Sequence, residues 1–258
     1  MAVAKKKTDK TQTGDVASVL SIHGVSVSYG AAPVISDITF DVKRGETFGL
    51  IGLNGAGKTT LIKTILGLRG QQKGDISIFD QSISAQSSKK ELAYLPEKFE
   101  PPWFLTGMEF LKFSLKLYNQ PFDSKVMIAA AEKLALDSAA LNRRVQTYSK
   151  GMRQKLGLLG TVLTNCSFFI LDEPMSGLDP LARTLVKDML AGMKDKKRAI
   201  FLSSHILADM DEMCDRVAVL HGGKIRFVGT PAALRKQTSA QNLERAFLHF
   251  IVDEKAGC

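Results

Sequence analysis

The chain has 258 residues, 45% of them hydrophobic, with 35 lysines and arginines against 26 acids and a formal net charge of +9. That length and apolar content support one large domain, or a domain with a subdomain, and exclude a chain too polar to build a core. The basic balance suits a polyanion, an anionic membrane face or a plainly solvated surface, and does not choose among them.

The opening MAVAKKKTDKTQTGDVAS has lysines but no apolar stretch behind them, so it reads as neither signal peptide nor anchor, and residues 1–17 are expected to be a disordered basic tail. Alternation over 19–29, followed by Gly30 and Pro33, predicts a strand and a turn, then strands at 38–42 and 46–51. After Gly57 a helical pattern runs to Leu68, Gly74 introduces a short strand to Phe79, and another strand is expected at 92–95. Pro96, Pro101 and Pro102 punctuate a loop, and Thr106 with Glu109 forms a capping-box signature. A helical subdomain opens there, over about residues 98–158. Met108, Leu111, Leu115 and Tyr118 fall at helical spacing, and Asp123 or Ser124 caps a second helix with Met127, Ala130 and Leu134 on one face.

Beyond Ser149 helix and strand alternate: a helix, a strand at 168–171, a helix after Pro180, a strand at 199–202, a helix at 206–213 and a strand at 217–220. This implies a parallel sheet covered by helices. Gly222 and Gly223 mark a hairpin into 224–228, and 243–250 forms a terminal helix. The uncharged stretch 156–171 would reach roughly 24 Å as a helix, short of a hydrocarbon core of roughly 30 Å. With Gly157, Gly160, Thr164 and Asn165 inside it, it reads as a helix end, a turn and a core strand, and no membrane span is predicted. Cys166, Cys214 and Cys258 are far apart and fit no metal-ligand spacing, which points to a reducing cytosolic compartment.

The chemistry begins directly after Ile51, with Gly52, Leu53, Asn54, Gly55, Ala56, Gly57, Lys58, Thr59 and Thr60 leading into a helix. Strand, glycine loop and helix are the context of a phosphate-binding loop. The glycines let successive N–H groups point inward, and the helix start adds its positive dipole end, so the loop binds a triphosphate. Lys58 then neutralises the β- and γ-phosphates, and Thr59 offers its hydroxyl to Mg²⁺. The apolar strand at 168–171 delivers Asp172 and Glu173 at its carboxyl end, where ligands sit in open α/β sheets. Asp172 fits the metal side, and Glu173 fits a base or positioner for the attacking water.

Asp172-Glu173-Pro174 continues into Ser176-Gly177-Leu178-Asp179, and here the chain resembles the ABC ATPase family, over roughly residues 19–230. The other family motifs follow in order. Tyr29 matches the aromatic that stacks on adenine, Glu97 falls at the Q-loop, Ser149-Lys150-Gly151-Met152-Arg153-Gln154 at the signature, Asp179 in the D-loop, and Ser204-His205 at the H-loop. A tyrosine offers a π-face to a purine, and the Ser149 hydroxyl with the Gly151 backbone at a helix start makes a second anion-binding end. By resemblance, that end faces the γ-phosphate held by an opposite subunit, and His205 contacts the same phosphate while holding Glu173 and water in register. His23, His221 and His249 have no such setting.

Two departures stand out. The family's leucine-serine-glycine-glycine-glutamine signature reads Tyr-Ser-Lys-Gly-Met from Tyr148 to Met152, and the Q-loop glutamine is Glu97, which adds a carboxylate near the metal.

The resemblance implies a fold in the α/β class: a P-loop NTPase core of mainly parallel sheet with helices, an N-terminal antiparallel β subdomain and the inserted α-helical subdomain. These occupy residues 18–230, with 231–258 as a short C-terminal extension that leaves no room for the regulatory domain some importers carry. It also implies ATP and Mg²⁺ as ligands, ATP hydrolysis, a homodimer of ATPase subunits, and a separate integral membrane transporter subunit, in an exporter. The chain would then be peripheral, at the cytoplasmic face of the cell membrane, with no nucleic acid expected. Pro101-Pro102-Trp103-Phe104 is expected either to receive the membrane partner's cytoplasmic helix or to roof the helical subdomain's core. A soluble ABC ATPase acting on nucleic acid or ribosomes is the alternative, but the two fused cassettes or long coiled-coil insertion usual there are absent from this sequence. A P-loop protein kept only for assembly needs a dead site, which Glu173 and His205 argue against.

Overall fold

A computed structural model describes residues 17–30, 32–194 and 197–252. Apart from Ala17, the tail expected to be disordered lies outside the described residues, as does Cys258. Two sheets organise the described residues. Strands β1 (Ser18–Tyr29), β2 (Ala32–Lys43), β4 (Lys73–Ile78) and β5 (Gln81–Ser82) form an antiparallel sheet in the order β2-β1-β4-β5. The second sheet holds β3 (Thr47–Ile51), β6 (Leu92–Leu95), β7 (Phe168–Asp172), β8 (Ala199–Ser204), β9 (Arg216–His221) and β10 (Lys224–Gly229), in the order β10-β9-β3-β8-β7-β6. It is parallel throughout except for the β9–β10 hairpin.

Strands β3 and β7 are buried at every residue, as parallel strands covered on both faces must be, and so read as near-continuous apolar runs. Alternation divides their side chains between two cores. Phe168 and Ile170 join Phe48, Leu50 and Phe201 against the antiparallel sheet and α1 (Lys58–Ile65), while Phe169 and Leu171 face the helical subdomain. Phe40 stacks on Phe48 with centroids 5.1 Å apart, tying the two sheets together.

The helical subdomain follows β6, with α2 (Gly107–Leu117), α3 (Ser124–Lys133) and the start of α4 (Lys150–Val162). The capping box is complete: Thr106 accepts from the Glu109 N–H at 3.2 Å, and Glu109 accepts from the Thr106 N–H at 2.8 Å. Helices α5 (Pro180–Lys194), α6 (Leu207–Met213), α7 (Pro231–Thr238) and α8 (Leu243–Val252) complete the elements of the described residues. Among the described residues no helix is long and apolar enough to cross a membrane.

Several boundaries differ from expectation. Strand β2 starts at Ala32, well before residue 38, because Asp37 adopts a left-handed φ of 54° and breaks the alternation while pairing with β1 continues on either side. Helix α1 stops at Ile65, short of Leu68. On α3 Met127 and Ala131, followed by Leu134, are buried, and the expected Ala130 packs partly buried against the same core. Helix α7 was not expected; its Thr230 cap, which accepts from the Ala233 N–H at 3.0 Å, and Pro231 in its first turn mark it.

Candidate functional site

The sheet order sets β3, β8 and β7 side by side, and their carboxyl ends deliver Lys58, His205 and the Asp172–Glu173 pair to one edge. The loop after β3 curls through Gly55 and Gly57, and Gly57 stands at a φ of 107°, a region open chiefly to glycine. A Cβ there would sit 2.6 Å from Ile35 Cγ2, so the opening of β2 is pressed against the loop as a wall. That opening is held from the other side as well, by the β9–β10 turn, where the Ser36 N–H donates to the Gly223 carbonyl at 2.8 Å. Helix α1 has no side-chain cap, which leaves its first turn for a ligand.

Lys58 is buried, and its Nζ donates to the Gly52 carbonyl at 2.7 Å and the Leu53 carbonyl at 3.4 Å, with Glu173 Oε1 3.9 Å away. Asp172 is 1% exposed. Its Oδ1 accepts from the Ser203 hydroxyl at 2.5 Å, and its Oδ2 is buried with no hydrogen-bond partner among the described residues. Burial pushes the Asp172 carboxyl up; the Ser203 bond pulls it back, the charges of Glu97 and Glu173 add to the rise, and Lys58 opposes it. On the neighbouring strand, burial together with Asp172 and Glu97 pushes the Tyr94 hydroxyl up to about 12, so it stays protonated.

Glu173 is buried on a left-handed backbone, φ 50°, an uncommon conformation for a residue with a side chain and one that concentrates at working sites. Its N–H donates to Ser203 Oγ at 3.1 Å, and its Oε2 faces His205 Nδ1 at 2.8 Å. The His205 ring is half exposed, so one edge meets the acid and the rest meets the cleft. From α4, the buried Gln154 donates to the Pro174 carbonyl at 3.0 Å and ties that helix to the acid turn.

The resulting cleft of about 330 Å³ is lined by Leu53, Asn54, Gly55, Gly57, Lys58, Thr59, Thr60, Glu97, Asp172, Glu173 and His205. Gly52 takes part through its carbonyl, and Ala56 lines an adjoining hollow. The structure does not bring Tyr29, Ser149, Lys150, Gly151, Met152 or Asp179 into this cleft. Ser149 instead caps α4, accepting from the Met152 N–H at 3.2 Å, and Asp179 accepts from the Ala182 N–H at 2.8 Å at the start of α5. These two segments abut, since a Cβ on Gly177 would lie 3.0 Å from Lys150 Cε. Ser203 and the tether from Gln154 escape sequence reasoning, because a serine at a strand end carries no spacing signal until the strands are paired.

The donor set fits magnesium. Among the described residues no group of three or more His, Cys, Asp or Glu side chains is arranged to hold a metal ion by itself. One carboxylate and one hydroxyl, with phosphate oxygens and water as the remaining ligands, is how Mg²⁺ is commonly held. The partnerless Asp172 Oδ2 at the cleft supplies the carboxylate oxygen.

Fold and cleft together are those of a P-loop ATPase. A family model described as ABC transporter matches residues 35–176. An uncharacterized ABC transporter ATP-binding protein of Synechocystis is 37% identical over 201 residues, 77% of this chain but only 57% of that protein's length. The fluoroquinolones export ATP-binding protein of Mycobacterium tuberculosis is 35% identical over 222 residues, 84% of this chain and 72% of its own. A solved structure of the ATP binding subunit of an ABC transporter has a TM-score of 0.83 at 33% identity, covering 90% of this chain and 98% of that one. The chain belongs to the ABC transporter family, as an ATP-binding subunit.

Proposed function

We propose that this chain hydrolyses ATP between two copies of itself and thereby drives a separate integral membrane subunit, in the direction of export. The observation that carries this reading is the convergence of Lys58, Asp172, Glu173 and His205 on one cleft, with a buried carboxylate oxygen left without a partner.

The loop from Gly52 to Thr60 binds the phosphates through its N–H groups and Lys58. Thr59 and Asp172, with Glu97 beside them, would hold Mg²⁺, which neutralises charge on the phosphate oxygens. Glu173 holds the attacking water in line and takes its proton, and the bond to His205 fixes the carboxylate's orientation. The remaining, half-exposed edge of the His205 ring faces the γ-phosphate. Tyr29 stacks on adenine. Ser149, Lys150, Gly151 and Met152 at the start of α4, together with Asp179, bind the nucleotide held by the other copy, and the outward placement of the Ser149 and Asp179 segments supports that role. Two such contacts related by a twofold axis close a homodimer that ATP holds together and hydrolysis releases.

Residues 18–230 make the cassette, with the helical insert over about 98–158 and 231–258 as an extension. Trp103 and Phe104 are 64% and 56% exposed and meet edge to face, so they do not roof the subdomain core; we assign them to the membrane partner. The chain then sits peripherally on the cytoplasmic face of the membrane. The export direction is supported by the mycobacterial relative, which is named for export of fluoroquinolones.

The test is Glu173→Gln. ATP binding should persist, turnover should fall by about 10²- to 10⁴-fold, and an ATP-bound dimer should accumulate in size-exclusion light scattering. Turnover at the wild-type rate refutes the assignment.

A further inference from the structure

Tyr29 does not stand alone. The Arg69 guanidinium carbon lies 3.5 Å from the centre of its ring, where a cation is attracted by the ring quadrupole. Arg69 Nη2 also donates to the Ser28 carbonyl at 2.8 Å, one residue before the tyrosine. Gln72 takes both backbone groups of Ser28, accepting from its N–H at 2.9 Å and donating to its carbonyl at 3.5 Å. The Gln72 N–H donates in turn to the Ser26 carbonyl at 2.9 Å. Residues 69–72 therefore staple the tip of β1.

The staple is fixed to the phosphate-binding element. The Leu68 and Arg69 N–H groups both donate to the Lys63 carbonyl, at 2.9 and 3.2 Å, as α1 ends. That helix has 8 residues and starts at Lys58, so it spans roughly 12 Å. One short helix thus carries the phosphate cradle at its first turn and, just past its last, the arginine that grips Tyr29. Arg69 Nε is buried without a hydrogen-bond partner among the described residues, so this placement is kept at a cost. Tyr29 remains 53% exposed even with the guanidinium against it.

We propose that Arg69 is a positioning residue for the base: it covers one face of Tyr29, sets the tilt of the ring, and leaves the opposite face as the stacking surface for adenine. The inference rests on Tyr29 being the adenine platform. A cation behind the ring draws electron density away from the face that meets the purine and lowers the repulsion between stacked π-faces. A ring fixed in advance also avoids the ordering cost of binding. Both effects act on the base and neither on the phosphates.

The experiment titrates the full chain with ATP and with inorganic tripolyphosphate, which offers a phosphate tail and no base. The variants are Tyr29→Ala, Arg69→Ala, Arg69→Lys and the Tyr29→Ala/Arg69→Ala pair, each checked for an unchanged Tm. Arg69→Ala should weaken ATP about five-fold, leave tripolyphosphate unchanged, and add nothing once Tyr29 is alanine. Arg69→Lys should recover part of the affinity, since it keeps charge over the ring without the flat contact. Should Arg69→Ala lower the Tm, the ATP-to-tripolyphosphate ratio is read from Arg69→Lys. Equal loss for both ligands, or a full further loss in the Tyr29→Ala background, overturns the proposal. A weakened Tyr29→Ala beside an unaffected Arg69→Ala removes Arg69 alone, whereas an unaffected Tyr29→Ala removes the platform and Arg69 with it.

Discussion

Ser203→Ala isolates the force that keeps a buried acid usable. The side chain is fully buried, donates to Asp172 Oδ1 at 2.5 Å and accepts from the Glu173 N–H at 3.1 Å. Alanine removes one oxygen and leaves little void. The Glu173 N–H keeps the Ser203 carbonyl at 3.2 Å, so the loss falls on Asp172, whose other oxygen already lacks a partner. A hydrogen bond to an ionised group contributes about 1.5–3 kcal/mol, which sets the expected destabilisation near 2 kcal/mol at neutral pH. The bond is also the first of the forces that lower the Asp172 pKa, so without it the carboxyl rises further above its ordinary 3.8. A carboxyl whose folded pKa exceeds its unfolded one holds extra protons in the folded state, so stability falls as pH climbs from the unfolded value through the folded one. The Ser203→Ala penalty should therefore grow across that window and level off above it. Urea denaturation without nucleotide, at pH values from about 5 to about 8 where proteins are generally most stable, measures it. A penalty below about 0.5 kcal/mol, the range of an ordinary surface change, or one that grows on acidification, refutes the reasoning.

Lys58→Ala should weaken ATP binding by about 100-fold, the value of roughly 3 kcal/mol for a strong charge-assisted contact, and calorimetric titration with unchanged affinity would count against the cradle. Replacing both Trp103 and Phe104 by alanine should abolish co-purification with the membrane partner while the isolated chain hydrolyses ATP at its usual rate; retention of the partner removes the docking assignment. Chelating divalent cations should stop hydrolysis without moving the Tm of the nucleotide-free chain, because no metal-binding cluster supports the fold among the described residues. A large drop in Tm would reveal a structural ion.

The parts of the site that were legible are those where chemistry demands residue types at fixed spacing. Gly52 to Thr60 follows an apolar strand and opens a helix, and Asp172 with Glu173 follows another, so both positions could be read before any strand was paired. Ser203 was not legible, since its role exists only because β7 and β8 align Asp172 with it across the ladder. Arg69 was hidden for the same reason: its partner lies 40 residues away, at the end of β1. Helix α7 hid because its buried stripe is narrow, with Pro231 and Leu234 alone facing inward, so periodicity gave little to detect. Asp37 hid the start of β2, as a left-handed residue inside a strand erases the alternation by which strands are recognised.

The wall that Ile35 sets against Gly57, itself braced by Gly223, has a bearing on how far this protein can be cut down. A fragment opening at Thr47 would keep every letter of the glycine motif yet lose the surface packed against the loop at Gly57. The loop's surroundings are thus drawn from three segments far apart in the chain, and a peptide excised around Lys58 would carry the right residues without the neighbours that pack against them.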